Sequence, residues 1–249
     1  MADHVIEVLD DAAAVARRGK DIFVEVVQAA HARNREVHIA LAGGSSPKAL
    51  YRLLAAQPGA VDWARVHLFV SDDRVVPMSD DRSNSGMVRQ ELLSADGTQK
   101  AHWHPVNADE SADPDSVARE YEELIRREVP HDDTGLPAFD LIMLGMGSDR
   151  HTASLFPGKP ALDEEDRLVV ASPPGVLPPP VERVTFTFPL INSARTVLAL
   201  TTGADKAEAF ADVREQLGQQ PSKTHVPAAR VRPRSGKVIW VVDRAAAGS

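Results

Sequence analysis

Apolar residues recur along this chain in two alternating rhythms. Short dense runs of about five are separated by longer stretches in which they return every third or fourth position, as strands alternating with amphipathic helices require. Residues 5–9, 37–41, 66–70, 139–144, 168–171, 183–188, 196–201 and 237–243 read as strands, with a further short one around His102-Trp103-His104. Between them, Ile22, Phe23, Val26, Val27 and Ala30 share a helical face behind a cap at Asp10 or Asp11, with Gly19 leaving the early part of that helix open. Leu50, Leu53 and Leu54 share another, with Ser46 expected as N-cap and Pro47 at the first helical position. Ser83 or Ser85 opens a helix carrying Met87, Leu92 and Leu93, a fourth covers about 113 to 127, and Asp205 starts one containing Lys206, Ala209 and Phe210. This alternation predicts an α/β fold with a mostly parallel, Rossmann-like sheet, helices on both faces and a site at the strands' carboxyl ends.

Length and composition narrow the picture. The 249 residues, 43% apolar, suit one large domain over 1–249, and the proline-rich stretch 172–180 is too short for a domain linker. Absence of cysteine excludes disulfides and thiolate chemistry and suits a reducing cytoplasm. A net charge of -8 argues against nucleic acid, and an anionic ligand would need Lys and Arg focused locally. No run approaches the roughly 20 apolar residues of a membrane span, and Met1-Ala2-Asp3-His4 lacks the basic start of a leader, so neither membrane attachment nor processing is expected.

Candidate chemistry gathers where strands end. The run 139–144 empties into Gly145-Met146-Gly147-Ser148-Asp149-Arg150-His151, which comes close to a dinucleotide fingerprint but has Arg150 at the third glycine. His151 there could take a proton from water, with Asp149 holding its tautomer. Strand 66–70 runs into Ser71-Asp72-Asp73-Arg74, a charged cluster that is costly to bury without a purpose. Gly43, Gly44, Ser45 and Ser46 lie between a strand and a helix, where backbone N–H groups and the helix dipole favour phosphate. Lys206 could add a cation from the start of its own helix. His102 and His104 alternate onto one side of a strand, but no third ligand accompanies them and no metal site is read from the pair. The seryl elbow Gly-x-Ser-x-Gly is missing, which leaves water as the nucleophile.

Six blocks in order resemble the 6-phosphogluconolactonases over almost the whole chain: residues 41–47, Asp72-Asp73-Arg74 with Ser83-Asn84, 145–158, Arg183 with 189–192, 202–206 and 240–243. The resemblance implies hydrolysis of 6-phospho-D-glucono-1,5-lactone to 6-phosphogluconate without metal or organic cofactor, and the fold of glucosamine-6-phosphate deaminase and ribose-5-phosphate isomerase. It further implies that Gly43, Gly44, Ser45 and Ser46 form the phosphate loop with Lys206 and Arg183 as cationic partners. Asp72 and Arg74 would face the sugar ring, and His151 with Asp149 would move the proton. The implied partner is a small sugar-phosphate lactone, and a transient contact with glucose-6-phosphate dehydrogenase is compatible with a chain that has no extra domain.

The chain departs from that pattern at Asp73 for glutamate, Ser148 for proline and, above all, Arg150 for glycine. If the glycine serves a positive φ, Arg150 carries about 1 kcal/mol or more of strain, and its charge could reach His151 or the substrate. The rival readings are an amino-sugar-phosphate isomerase-deaminase, in which a glutamate is expected five residues after the histidine where this chain has Phe156, and a non-catalytic sugar-phosphate sensor.

Overall fold

The computed structural model describes residues 3–109, 111–217 and 226–248, so Met1 and Ala2, part of the leader reading, lie outside the described residues. In chain order, β1 (Asp3–Leu9) precedes α1 (Ala12–His31), β2 (Val37–Leu41), α2 (Ser45–Ala55), β3 (Val66–Val70) and the short β4 (Asp72–Arg74). Then come α3 (Asn84–Glu91), β5 (His102–Trp103), α4 (Pro114–Glu128), β6 (Leu141–Gly145), β7 (Val169–Ser172) and β8 (Arg183–Phe186). The chain closes with α5 (Phe188–Ile191), β9 (Thr196–Thr201), α6 (Ala207–Leu217), β10 (Lys237–Asp243) and α7 (Arg244–Ala247).

Seven strands form a sheet in the order β1-β10-β9-β6-β2-β3-β5, with every pairing parallel. β2 and β6 are neighbours, and from them the chain builds outward in opposite directions. Their carboxyl ends therefore diverge into loops that leave a crevice between them, the position where open α/β sheets bind ligands. β2, β9 and β10 are buried almost throughout, which explains their unbroken apolar runs.

Helix α1 starts where Asp11 accepts a hydrogen bond from the Ala14 N–H at 2.7 Å, and it continues without a break through Gly19. A Cβ at Gly19 would lie 2.6 Å from Leu50 Cδ1 of α2, so the glycine that left the early helix open is what lets two helices pack closely. Phe23 and Val27, fully buried from the same helix, stabilise the fold by roughly 2 kcal/mol each through burial. On the other face, Phe210 of α6 packs on Trp240 of β10, and Tyr121 of α4 sends its hydroxyl to the Val70 carbonyl.

Two expectations need correcting. The charged residues at the carboxyl end of β3 form a strand of their own: β4 pairs antiparallel with β8, and β8 with β7, in a second, three-stranded sheet. The strand expected over 183–188 stops at Phe186, because Thr187 and Pro189 turn the chain into α5.

Candidate active site

The two loops at the β2/β6 divergence and the second sheet enclose a cleft of about 240 Å³. All of Gly43, Gly44, Ser45, Ser46, Asp72, Arg74, His151, Arg183 and Lys206 line it, while Asp149 stands behind His151. Residues far apart in sequence are thus brought to one place by the sheet.

The first wall is the start of α2. Gly44, with φ 101°, is the N-cap in place of the expected Ser46, and no side chain caps the first turn. A helix start left without a side-chain cap directs backbone donors and positive dipole outward, which suits an anion. Ser46 instead shares a 2.7 Å hydroxyl contact with Thr202, joining this turn to the loop after β9. Gly43 is required by close packing: a Cβ there would sit 2.0 Å from Asn84 Oδ1. Lys206 reaches the cleft from a turn of 3-10 helix before α6 and pairs with Asp205 at 3.0 Å.

The second wall is the charged cluster, whose three residues divide their labour. Asp73 is buried and accepts hydrogen bonds from the backbone N–H groups of Asn84 at 2.6 Å, Ser85 at 2.8 Å and Arg74 at 2.8 Å. Burial pushes its carboxyl up from the ordinary range, against the pull of those donors. Asp73 is thus a structural anchor for the start of α3, where Ser83 is the N-cap. Asp72 faces the other way and accepts from the Ser154 hydroxyl at 2.6 Å. Arg74 donates from Nη1 to the Arg82 carbonyl at 2.7 Å and to Asn84 Oδ1 at 3.0 Å.

Arg183 lies directly opposite Arg74 across the β4–β8 pair and is 4% exposed. Its guanidinium stands 5.2 Å from the centre of the Phe156 ring and donates to the Pro179 carbonyl at 3.2 Å. Burial lowers its pKa, with the carboxylate of Asp72 opposing that shift and the charge of Arg74 adding to it. Both arginines also hold a buried Nε with no hydrogen-bond partner. A buried and a half-buried arginine opposite each other, each with an unmatched Nε donor, suit an anion.

The third wall is the turn after β6. His151 Nδ1 lies 2.5 Å from Asp149 Oδ1, and its N–H donates to the same oxygen at 3.2 Å. Burial pushes Asp149 up, but the hydrogen bond and charge of His151 outweigh it, so the carboxyl lies below its ordinary range. The turn can close only over a glycine, since a Cβ at Gly147 would be 2.2 Å from His151 Nδ1. Arg150 has φ 74°, the left-handed conformation feared from the sequence. Its side chain, however, leaves the cleft: Nε donates to Asp212 at 2.5 Å and Nη2 to Glu208 at 2.7 Å, both on α6. The expectation that its charge could reach His151 or the substrate is therefore not met, because two carboxylates hold it elsewhere.

Asn84, Thr202, Met146 and the segment at Leu177 and Pro178 also line the cleft, and spacing alone assigned them no role. For Asn84 a signal existed in its place beside Ser83, just ahead of the α3 periodicity; the proline-rich stretch offered none. Phe156 is buried against His151, with ring centroids 4.8 Å apart, and brings no carboxylate near the histidine.

Known proteins resemble this chain over most of its length. The family model described as glucosamine-6-phosphate isomerases/6-phosphogluconolactonase matches residues 10–240. The 6-phosphogluconolactonase of Synechocystis sp. is 39% identical over 84% of this chain and 82% of its own, and that of Mycobacterium tuberculosis is 38% identical over 94% and 92%. The solved 6-phosphogluconolactonase of Trypanosoma brucei superposes with a TM-score of 0.88 at 29% identity, covering 100% of this chain and 99% of that one.

Proposed function

The chain belongs to the glucosamine-6-phosphate isomerase/6-phosphogluconolactonase family, and we propose that His151 activates water in its cleft. The activity is hydrolysis of 6-phospho-D-glucono-1,5-lactone to 6-phospho-D-gluconate, a carboxylic-ester hydrolysis of the oxidative pentose phosphate pathway. The observation that supports the histidine's role is the His151–Asp149 pair facing the same cleft as the uncapped start of α2.

Asp149 holds the Nδ1 proton of His151 and leaves Nε2 as the basic nitrogen. Nε2 takes a proton from a water as its oxygen attacks C1 of the lactone. The developing oxyanion draws on Arg74 and nearby backbone N–H groups. Collapse of the tetrahedral species breaks the bond from C1 to the ring oxygen, which receives the proton from the imidazolium, so His151 ends neutral. Gly43, Gly44, Ser45 and Ser46 receive the phosphate, with Lys206 and Arg183 supplying charge, and Asp72 orients ring hydroxyls. The lactone is a reactive ester, so positioning and modest acid–base help are sufficient.

Phe156 at the position where a deaminase would carry glutamate favours this reading over amino-sugar chemistry. A cytoplasmic location and a transient contact with glucose-6-phosphate dehydrogenase belong to the same proposal; among the described residues, no helix is long and apolar enough to cross a membrane. The test is to generate the lactone with that dehydrogenase and follow acid release with and without the protein. Acceleration by the wild type that is lost in a folded His151→Ala is expected. No acceleration by wild type would sink the lactonase reading, and full activity in His151→Ala would remove only the histidine.

A further inference from the structure

Four of the nine histidines lie together outside the cleft. His38, His67 and His102 are in register on β2, β3 and β5, and their rings stack in a row with centroids 4.5 and 4.4 Å apart. His104, just beyond β5, lies within 9° of the plane of His67 and brings its Nε2 to 3.1 Å from His67 Nδ1. Phe69 stacks on His104 with ring centroids 4.4 Å apart. Glu128, the last residue of α4, completes the group, and the donor atoms of His67, His104 and Glu128 all fall within 4.8 Å of one another.

We propose that His67, His104 and Glu128 bind a divalent transition-metal ion of the zinc type, through two imidazole nitrogens and one carboxylate oxygen, with the remaining positions open to water. The nitrogen separation carries the geometry: two nitrogens each about 2.0–2.1 Å from one metal lie roughly 3 Å apart. Glu36 Oε2 stands 3.2 Å from His67 Nε2, the carboxylate behind a ligating imidazole that fixes the proton on the far nitrogen and frees the near lone pair. Stacking between His38 and His102 holds that ring without any contribution from the metal.

Two nitrogen donors among three select zinc, cobalt or nickel over magnesium and calcium, which prefer oxygen. Without metal, one proton lies between His67 Nδ1 and His104 Nε2; binding displaces it to the other nitrogen of His104 or to solvent. The competing cation is Arg127, whose Nε donates to Glu128 Oε1 at 2.8 Å and leaves the second oxygen available. From the sequence, His102 was the partner of His104 and a third ligand was missing. In the fold His102 turns its Nε2 to the Ala64 carbonyl at 3.2 Å, and β3 and α4 supply the two ligands instead. The ion would fasten the two-residue edge strand β5 and the end of α4 to β3.

The test uses the full chain freed of metal with a chelator and titrated with cobalt chloride, read by visible absorption, and with zinc chloride, read by calorimetry and thermal unfolding. One equivalent at low-micromolar affinity or tighter is expected, with a raised unfolding temperature. His104→Gln and Glu128→Gln should each weaken binding at least tenfold, and Glu36→Gln by about ten- to a hundredfold. Glu128→Gln tests the site without disturbing the ring stack, and none of the three lies in the cleft, so lactone hydrolysis should remain at wild-type level. Absence of the cobalt band and the zinc heat would overturn the proposal. So would one-equivalent binding whose affinity is unchanged in Glu128→Gln and His104→Gln.

Discussion

Replacement of Arg150 separates two effects that oppose each other at the catalytic turn. In Arg150→Ala the left-handed backbone at φ 74° remains while the ion pairs to Asp212 and Glu208 are lost. The Arg150 and Asp212 side chains are 28% and 34% exposed, so that pair contributes about 1 kcal/mol at most, and the pair to Glu208, 85% exposed, contributes close to nothing. Glu208 and Asp212 are also four residues apart on α6, and removing the cation between them restores a repulsion of about 0.3–0.5 kcal/mol. Arg150→Ala should therefore be less stable than wild type by up to about 1.5 kcal/mol. Arg150→Gly loses the same pairs but regains about 1–2 kcal/mol from the backbone, less about 0.4–1 kcal/mol for the greater freedom of glycine in the unfolded chain. Arg150→Gly should therefore be at least as stable as Arg150→Ala and within about 1.5 kcal/mol of wild type, read as midpoints of equilibrium urea unfolding. Each kcal/mol corresponds to a shift of about 2–4 °C in Tm. The guanidinium faces α6, so turnover in Arg150→Gly should change little. An alanine variant as stable as wild type would show that the ion pairs contribute nothing, and a glycine variant less stable than alanine would refute the strain.

Other positions offer independent checks. Gly43→Ala places a Cβ 2.0 Å from Asn84 Oδ1 and should cost about 1–3 kcal/mol in urea unfolding, with a fall in lactone hydrolysis as Asn84 and Arg74 move; Asn84→Ala in the same chain should relieve the clash but not restore wild-type stability or activity, because Arg74 and the Asp72 carbonyl lose their Asn84 hydrogen bonds. Arg183→Lys keeps the charge but not the planar fork, so steady-state kinetics should show KM raised at least tenfold, as loss of a charge-assisted hydrogen bond of about 1.5–3 kcal/mol requires; a KM within twofold of wild type removes Arg183 from anion binding. His38, pushed down to about 4 by burial and then by the neighbouring His67, binds its proton more weakly folded than unfolded. Its contribution to stability is therefore complete above about pH 6.5 and lost as pH falls through about 4, so the urea midpoint of chelator-treated protein should drop over that window, less steeply in His38→Leu; an equal slope in both proteins excludes His38 as the source.

Much of this was legible because it is local. Most strands of the large sheet were announced by their own apolar runs, and the loops that form the cleft follow strands directly, so Gly43, Gly44, Ser45, Ser46, Asp149 and His151 could be read as candidates before any contact was known. What could not be read depends on partners distant in the chain. The glycine at 19 left the early helix open because Leu50 is invisible from position 19, and Asp73 looked equivalent to Asp72 because nothing in the tripeptide shows that α3 begins on one of them. The second sheet was missed for the same reason: β4 has three residues, too few for any periodicity, and exists only because β8 returns beside it. The largest effect of that pairing is on charge, since it sets Arg183 opposite Arg74 and brings two arginines 109 positions apart to one cleft. Arg150 completes the contrast. Its sequence position marks it as a threat to the histidine beside it, and only Glu208 and Asp212, on a helix more than fifty residues later, make it a support for the turn.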